Sequence, residues 1–238
     1  SCTAPGPAGR WLGVCWSVNP AHGRGCRQLD GELWAPPHNP WAVLLTVSRD
    51  RIEHVLADPG FRKDVDALVQ TRRSARESPA WFQQKHPHSP LGCIAYFSME
   101  FMLSEALPIY SGGLGNVAGD QLKAASDLGV PVVAVGLLYQ QGYFRQVIDK
   151  NGAQEALYPY NDHGQLPIAP LRRANGEWLR LELSIPGDAV WPRAWQGQVG
   201  VVQLLLLSSD GQDRAAVHRG TAPTPYARRA ERAARRPV

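Results

Sequence analysis

Residues Val130 to Leu138 read Val-Pro-Val-Val-Ala-Val-Gly-Leu-Leu, an almost unbroken apolar run. A strand that does not alternate apolar with polar must be covered on both faces, the condition of a strand inside a parallel sheet. The preceding residues fit that setting. Val117 to Leu128 has the composition of a helix closed by Gly129 and Pro131, residues that stop a helix and turn the chain. Ahead of it, Cys93-Ile94-Ala95-Tyr96-Phe97-Ser98 has strand composition. Strand, helix and buried strand make a βαβ unit, whose crossover is right-handed in nearly all proteins. The fold class expected is α/β.

On either side the rhythm changes. Residues 11–76 read as mostly helical, so 1–76 is expected to be an N-terminal helical region. Asn39 or Pro40 starts the apolar run Trp41 to Val47. Ser48 is placed to cap a helix from Arg49 to Ala57, in which Ile52, Val55 and Leu56 share one face. Asp58-Pro59-Gly60 ends it, and Phe61 to Arg73 continues as a third helix. Residues 77–92 form a connector rich in Pro, His and Gln, where Trp81 and Phe82 predict packing on a surface. Residues 93–207 are expected to hold the βαβ unit and a β-rich extension. Within that extension Trp178 to Ser184 alternates, and Ala189 to Trp195 and Val199 to Leu207 read as further strands.

The tail, 208–238, fits nothing before it. From 214 onward Arg and Ala supply fourteen residues and Pro three. It is expected to be non-native, as after a shift of reading frame beyond Leu207, or else a disordered basic arm. The same tail distorts the charge balance. The chain of 238 residues carries a formal +4, but residues 214–238 hold seven Arg and one Glu, which leaves 1–213 at −2. A mildly acidic body gives no reason to expect nucleic acid or an anionic membrane as partner. With 44% hydrophobic and 19% charged residues the chain is no disordered polymer. Its best apolar candidate for a bilayer, Val199 to Leu207, is short and interrupted by Gly200 and Gln203. Cys2, Cys15, Cys26 and Cys93 are scattered, without C-x-x-C or His at ligand spacing. Reduced thiols in the cytoplasm and no metal are the expectation.

The chemistry-bearing stretch joins the first strand of the βαβ unit to its helix, from Ser98-Met99-Glu100-Phe101 to Ser111-Gly112-Gly113-Leu114-Gly115-Asn116. In open α/β sheets ligands bind at this carboxyl edge. Three glycines in four positions let a ligand come close and permit positive φ. Their N–H groups, with the positive end of the helix, suit a phosphate or a polarised sugar hydroxyl. Asn116 is a plausible N-cap. Gly113-x-Gly115-x-x-x-Gly119 is one residue too long for a dinucleotide fingerprint, and no Gly-Lys-Ser/Thr follows. On spacing alone a purely structural turn remains an equal reading.

Residues 94–147 resemble the N-terminal half of the α-glucan (glycogen, starch or maltodextrin) phosphorylases. The resemblance rests on Tyr96-Phe97-Ser98-Met99-Glu100-Phe101, Leu107-Pro108-Ile109-Tyr110-Ser111-Gly112-Gly113-Leu114-Gly115, Ala118-Gly119-Asp120, Ser126-Asp127-Leu128-Gly129 and Gly136 to Gln146. Trp16 to Pro20, Leu29 to Trp34 and His38-Asn39-Pro40 are similar to the helical region of the shorter bacterial and archaeal branch. Leu157 to Asp162 and Val190 to Gly200 continue the likeness, which stops near residue 207.

The resemblance implies a helical region followed by part of a Rossmann-like domain of the two-domain GT-B glycosyltransferase type, its C-terminal domain missing. It implies phosphorolysis of α-1,4-glucan to glucose 1-phosphate, with pyridoxal phosphate held by a lysine of the second domain. It places Gly112, Gly113, Leu114 and Gly115 against substrate phosphate and the glucosyl unit, and leaves room for a homo-oligomeric full-length form. Two departures stand out. Met102 replaces a tyrosine of the larger enzymes, and none of Lys63, Lys85, Lys123 or Lys150 lies in the cofactor-lysine setting. No catalytic residue is therefore assigned within the chain.

Two alternatives differ in class. A sugar-nucleotide-dependent glycogen or starch synthase has a similar Gly-Gly-Leu-Gly loop, but after Lys-Thr, where this chain has Tyr110-Ser111. An inactive glucan-binding fragment would explain the missing second domain. Elsewhere, Glu100 and Glu105 could be imagined as a glycosidase pair, though a hydrogen-bonded loop carboxylate is simpler. Lys123 and Asp127 read as a solvated i,i+4 pair. Tyr143, Phe144 and Arg145 could line a sugar site or pack on a strand. Trp191 and Trp195, on one strand face, read as core.

Overall fold

The computed structural model describes residues 20–35, 38–185 and 188–208. The motif Trp16 to Asn19, Cys2, Cys15, residues 1–10 and the tail beyond Ser208 lie outside the described residues.

The described residues begin with four helices: α1 (Pro20–Leu29), α2 (Pro40–Thr46), α3 (Arg49–Ala57) and α4 (Pro59–Glu77). Their starts follow from side chains. Asn39 Oδ1 accepts from the N–H groups of Trp41 and Ala42 at 3.0 and 3.3 Å, with Pro40 at the first helical position. Ser48 Oγ accepts from Arg51 N at 3.2 Å. Each satisfies N–H groups that no intrahelical carbonyl reaches. Asp58 ends α3 and caps α4 by accepting from Gly60 N at 3.0 Å. The third helix thus begins two residues earlier and ends four later than its sequence pattern indicated. At the other pole of α1, Arg51 Nε and a terminal guanidinium N–H donate to the carbonyls of Leu29 and Gln28 at 3.1 and 2.9 Å, satisfying orphan acceptors. Leu29, Val43, Val55 and Phe61 form a buried cluster, with Ile52 and Leu56 packed against it.

The connector contains a short helix, α5 (Trp81–Lys85). It is tied down through Gln83, whose Nε2 donates to the Gly129 carbonyl at 2.7 Å, while Trp81, expected to pack on a surface, is exposed. Beyond it come β1 (Ile94–Phe97), α6 (Gly113–Leu128) and β2 (Val132–Leu137). β1 and β2 pair in parallel, from Ile94 opposite Val132 to Phe97 opposite Val135, so the βαβ unit is present. Gly129, at φ +67°, closes α6 in the left-handed conformation that suits glycine.

The later strands split between the sheet and two side hairpins. β3 (Arg145–Ile148) pairs with β4 (Gln154–Leu157), and β6 (Leu183–Ile185) with β7 (Asp188–Val190), both antiparallel. β5 (Ala169–Pro170), β8 (Arg193–Val199) and β9 (Val202–Ser208) join the main sheet, whose order is β1-β2-β9-β8-β5. β9 runs parallel to β2, whereas β8 and β5 are antiparallel to their neighbours, making a mixed sheet in a mixed α/β chain. The run Ala189 to Trp195 is therefore not one strand. Pro192 interrupts it and gives its carbonyl to Leu181 N at 3.1 Å. Trp195 is buried at 8% exposure, while Trp191, outside both strands, is 46% exposed and not core.

Alternation along the strands separates two faces of the sheet. Ala134, Leu204 and Leu206 are fully buried in a cluster with Ala118, Leu122 and Ala125 of α6. Phe97 (72% exposed) and Leu137 (41%) lie on the opposite face with the half-buried Val133, Val135, Leu205 and Leu207. Among the described residues β2 is thus covered fully on one face, not on both as its sequence alone indicated.

Candidate functional site

The site begins where β1 ends. Ser98 Oγ accepts from Glu100 N at 3.3 Å and donates to the Glu100 carbonyl at 2.8 Å, a tight turn at the carboxyl edge. Phe101 then bridges to Ile109, and Met102 N donates to the Gly115 carbonyl at 2.8 Å. The segment between β1 and α6 is folded back over the first turns of the helix.

Glu100 holds this arrangement. It is buried at 5% exposure, and its carboxylate accepts from Ser111 N at 2.9 Å, Ser111 Oγ at 3.0 Å and Gly112 N at 3.2 Å. A carboxylate against the positive end of a helix is favoured by the dipole, and its three donors offset its desolvation. Glu100 is therefore the hydrogen-bonded loop carboxylate of the simpler reading. Burial, and then the nearby Glu100 charge, push the Tyr139 hydroxyl up to about 12. That hydroxyl donates to the Met99 carbonyl at 2.9 Å.

Because Glu100 serves Ser111 and Gly112, α6 starts at Gly113 with Gly112 as N-cap and no side-chain cap. Asn116 is not the cap; it lies inside the first turn, its N–H donating to the Gly112 carbonyl at 3.3 Å. Gly113 and Leu114 occupy the first two helical positions, whose N–H groups have no intrahelical acceptor. Gly112, Gly113 and Leu114 are exposed and Gly115 is buried.

The glycines serve different purposes. None of Gly112, Gly113 or Gly115 has positive φ, so backbone torsion does not require them. A Cβ on Gly115 would stand 2.8 Å from Tyr110 Cβ, and one on Gly119 would fall 2.0 Å from the Met102 carbonyl oxygen. At Gly112 and Gly113 a Cβ would meet nothing within 4 Å. Packing within the chain demands the later glycines and leaves the first two bare toward open space.

Beside this bare edge lies a cavity of about 540 Å³ whose walls include Glu105, Tyr110, Ser111, Tyr143, Arg145 and Tyr160. Tyr110 donates its hydroxyl to Glu105 Oε1 at 2.5 Å. Burial, then this bond and the carboxylate charge, raise the phenol to about 12. Glu100 and Glu105 thus have separate partners. The third wall comes from residues 159–166 and from Asn39 of the helical region. That region is anchored there by Asn39 Nδ2 donating to the Gln165 carbonyl and Trp41 Nε1 to the Gly164 carbonyl, both at 2.9 Å.

Of the residues singled out from sequence, Gly113 to Gly115 lie in the first turn of the helix, which begins four residues earlier than the expected Val117, and Tyr143, Phe144 and Arg145 line the neighbouring cavity. Phe144 packs between Tyr143 and Tyr158, at ring-centroid distances of 4.6 and 6.0 Å. Lys123 pairs with Asp120 at 3.7 Å, not with Asp127. None of the four lysines lines the cavity, so none is placed to anchor a cofactor there. Among the described residues no His, Cys, Asp and Glu gather into a metal-binding group, and no helix is long and apolar enough to cross a membrane. Cys26 is buried and Cys93 is exposed. Sequence reasoning missed the Tyr110–Glu105 pair and the wall built by Asn39 and residues 159–166. The run Leu157 to Asp162 was a signal for the latter, but its contact with Asn39 spans 126 positions.

Residues 12–107 match the family model described as "Protein of unknown function (DUF3417)". Over 190 residues, 76% of this chain and 22% of the relative, the chain is 43% identical to the glycogen phosphorylase of Mycobacterium tuberculosis. It is 38% identical to the maltodextrin phosphorylase of Thermococcus litoralis, covering 82% of this chain and 24% of that one. With the glycogen phosphorylase of Aquifex aeolicus it shares 33%, over 83% of this chain and 28% of the relative. The chain thus spans about a quarter of the length of these curated relatives. It belongs to the α-glucan phosphorylase family and corresponds to an N-terminal portion of its members.

Proposed function

We propose that this chain supplies one wall of the active site of an α-1,4-glucan phosphorylase, with Gly112, Gly113, Leu114 and Gly115 against the substrate phosphate and the glucosyl unit. The observation that carries the reading is the bare edge at Gly112 and Gly113, exposed and without steric need inside the chain. In the reaction, an oxygen of inorganic phosphate bonds to C1 of the terminal glucose as the C1–O4 bond breaks. The departing O4 takes a proton, leaving glucose 1-phosphate and a shortened glucan.

The chain's share is binding and orientation. The N–H groups of Gly113 and Leu114, at the positive end of α6, face negative charge on the phosphate oxygens, and Gly112 and Gly113 put no Cβ in the anion's way. Glu100 is a positioning residue: it fixes Ser111 and Gly112 and so the direction of those N–H groups. Pyridoxal phosphate, when bound, supplies a phosphate group for proton transfer; its anchoring lysine is not among this chain's residues. The same proposal includes a GT-B architecture, a helical region 1–76, a connector 77–92, a Rossmann-like part 93–207 and a cytoplasmic setting.

The test is a chimera in which residues 20–208 replace the corresponding segment of the M. tuberculosis relative. Given maltodextrin and phosphate, it is expected to release glucose 1-phosphate. A folded, cofactor-loaded chimera that releases none would overturn the proposal, and glucose transfer from a nucleotide donor without phosphate would point to a synthase.

A further inference from the structure

We infer that Asn151 is a site of spontaneous covalent modification, deamidation to isoaspartate and aspartate at the Asn151-Gly152 bond, and that the chain's second Asn-Gly pair, Asn175-Gly176, is protected from it by Glu177. Water is the only co-reactant. The chemistry needs neither a second domain nor a cofactor, so it is independent of the phosphorylase reading.

The two pairs sit in turns of the same backbone form. From Asp149 to Ala153, Gly152 N donates to the Asp149 carbonyl at 3.1 Å and Asp149 N to the Ala153 carbonyl at 2.9 Å. From Arg173 to Glu177, Gly176 N donates to the Arg173 carbonyl at 2.9 Å and Arg173 N to the Glu177 carbonyl at 2.8 Å. Gly152 and Gly176 have φ of +81° and +85°, the left-handed region that suits glycine. The turn itself thus places a residue without a side chain after each asparagine, leaving its nitrogen open to attack the amide. Both asparagines are exposed, and a Cβ on either glycine would meet nothing within 4 Å. Backbone shape and access are equal, and the side-chain partners differ.

Deamidation requires the asparagine to swing its Cγ onto the following backbone nitrogen. Asn175 is held at both ends: its Oδ1 accepts from Glu177 N at 3.0 Å, and its Nδ2 donates to Glu177 Oε2 at 2.9 Å. The side chain of Asn151 is held by one long bond, from Nδ2 to Asp149 Oδ2 at 3.3 Å. In the reaction Gly152 N gives its proton to solvent and bonds to Asn151 Cγ. The Cγ–Nδ2 bond breaks, and Nδ2 takes a proton from solvent and leaves as ammonia. Water then opens the cyclic imide, at Cγ to give aspartate or at the main-chain carbonyl to give isoaspartate; nothing is oxidised or reduced. An aspartate at 151 would lie against Asp149, whose carboxyl is held below its usual range chiefly by the Ala153 N–H. Two like charges then meet where an amide had donated. Isoaspartate lengthens the main chain inside the turn that joins β3 to β4, the hairpin that begins at Arg145 of the cavity wall.

The experiment ages the 238-residue chain in warm neutral buffer and follows residues 151 and 175 by peptide mapping with mass spectrometry. The same chain unfolded in denaturant is the reference, in which the two asparagines should convert at similar rates. In the folded chain Asn151 should convert about tenfold faster than Asn175, which has a further bond to a charged acceptor to break. Glu177→Ala removes that acceptor and keeps the backbone N–H, so it should speed Asn175 about tenfold. Three results would each overturn the inference: Asn151 intact in the folded chain after the unfolded chain has reacted, equal rates at 151 and 175 in the folded chain, or an unchanged rate at Asn175 in a folded Glu177→Ala variant. If that variant does not fold, the ratio of the two rates in the unaltered chain decides.

Discussion

Two turns of one helix show opposite uses of the same residue. In the second turn of α6, Gly119 is required because the Met102 carbonyl occupies the space of its Cβ, and at the inward side of the first turn Gly115 is nearly as constrained by Tyr110. At the outward start of the helix, and at the cap before it, Gly113 and Gly112 face open space with unstrained torsions. A glycine that neither packing nor backbone requires costs stability without structural return. Under the proposed function, its use lies with a ligand that approaches from outside the chain. The contrast distinguishes a scaffold glycine from a surface kept bare for a ligand.

The largest expected effect breaks the scaffold side. Gly119→Ala forces a Cβ into the Met102 carbonyl, and a loss of about 3 kcal/mol or complete misfolding is expected in chemical denaturation. Next, Glu100→Ala leaves Ser111 N–H, Ser111 O–H and Gly112 N–H without their acceptor, for a loss of about 2 kcal/mol. Unchanged stability in either variant would remove the distinction between the two turns. On the bare side, Gly113→Ala is expected to stabilise the chain by about 0.5–1 kcal/mol, because alanine suits a helix better and meets nothing. A destabilised Gly113→Ala chain would mean that the first turn is packed after all.

The smallest effect concerns the tyrosines flanking this turn. Tyr110 and Tyr139 are both raised to about 12 in the fold, above their ordinary value near 10. Their stabilising contribution is complete below pH ~10 and is lost as pH rises toward ~12, because the unfolded chain gives up these protons first. The thermal midpoint should fall over that window, and fall less steeply in Tyr110→Phe. An identical slope in the variant would show that Tyr110 is not shifted.

Much of the fold was written in local sequence, and the reason is physical. Caps at Asn39 and Ser48 act on N–H groups two or three residues away, so they can be read directly. The unbroken run at Val132–Leu137 and the stop at Gly129 likewise determine β2 and the end of α6. Where a distant group decides, reading fails. The start of α6 is set by Glu100, which lies 11 residues before Ser111, so the local candidate Asn116 misled. The Trp191–Trp195 face was lost to Pro192, a break present in the sequence but outweighed there by the apolar pattern. The glycine-rich run was legible as a bare edge next to the helix start. The cavity beside it was not, since it is assembled from three loops and from Asn39, 126 positions from its partner Gln165.

The most direct measurement of the central claim is the phosphate dependence of the chimera carrying Gly113→Val. A Cβ at this position meets nothing within the chain, so the thermal midpoint should change little. If the bare edge faces the substrate phosphate, glucose 1-phosphate formation should fall about a hundredfold, as for loss of a donor at a developing anion. A folded Gly113→Val chimera with undiminished turnover and unchanged phosphate KM would contradict the assignment of this edge to the substrate.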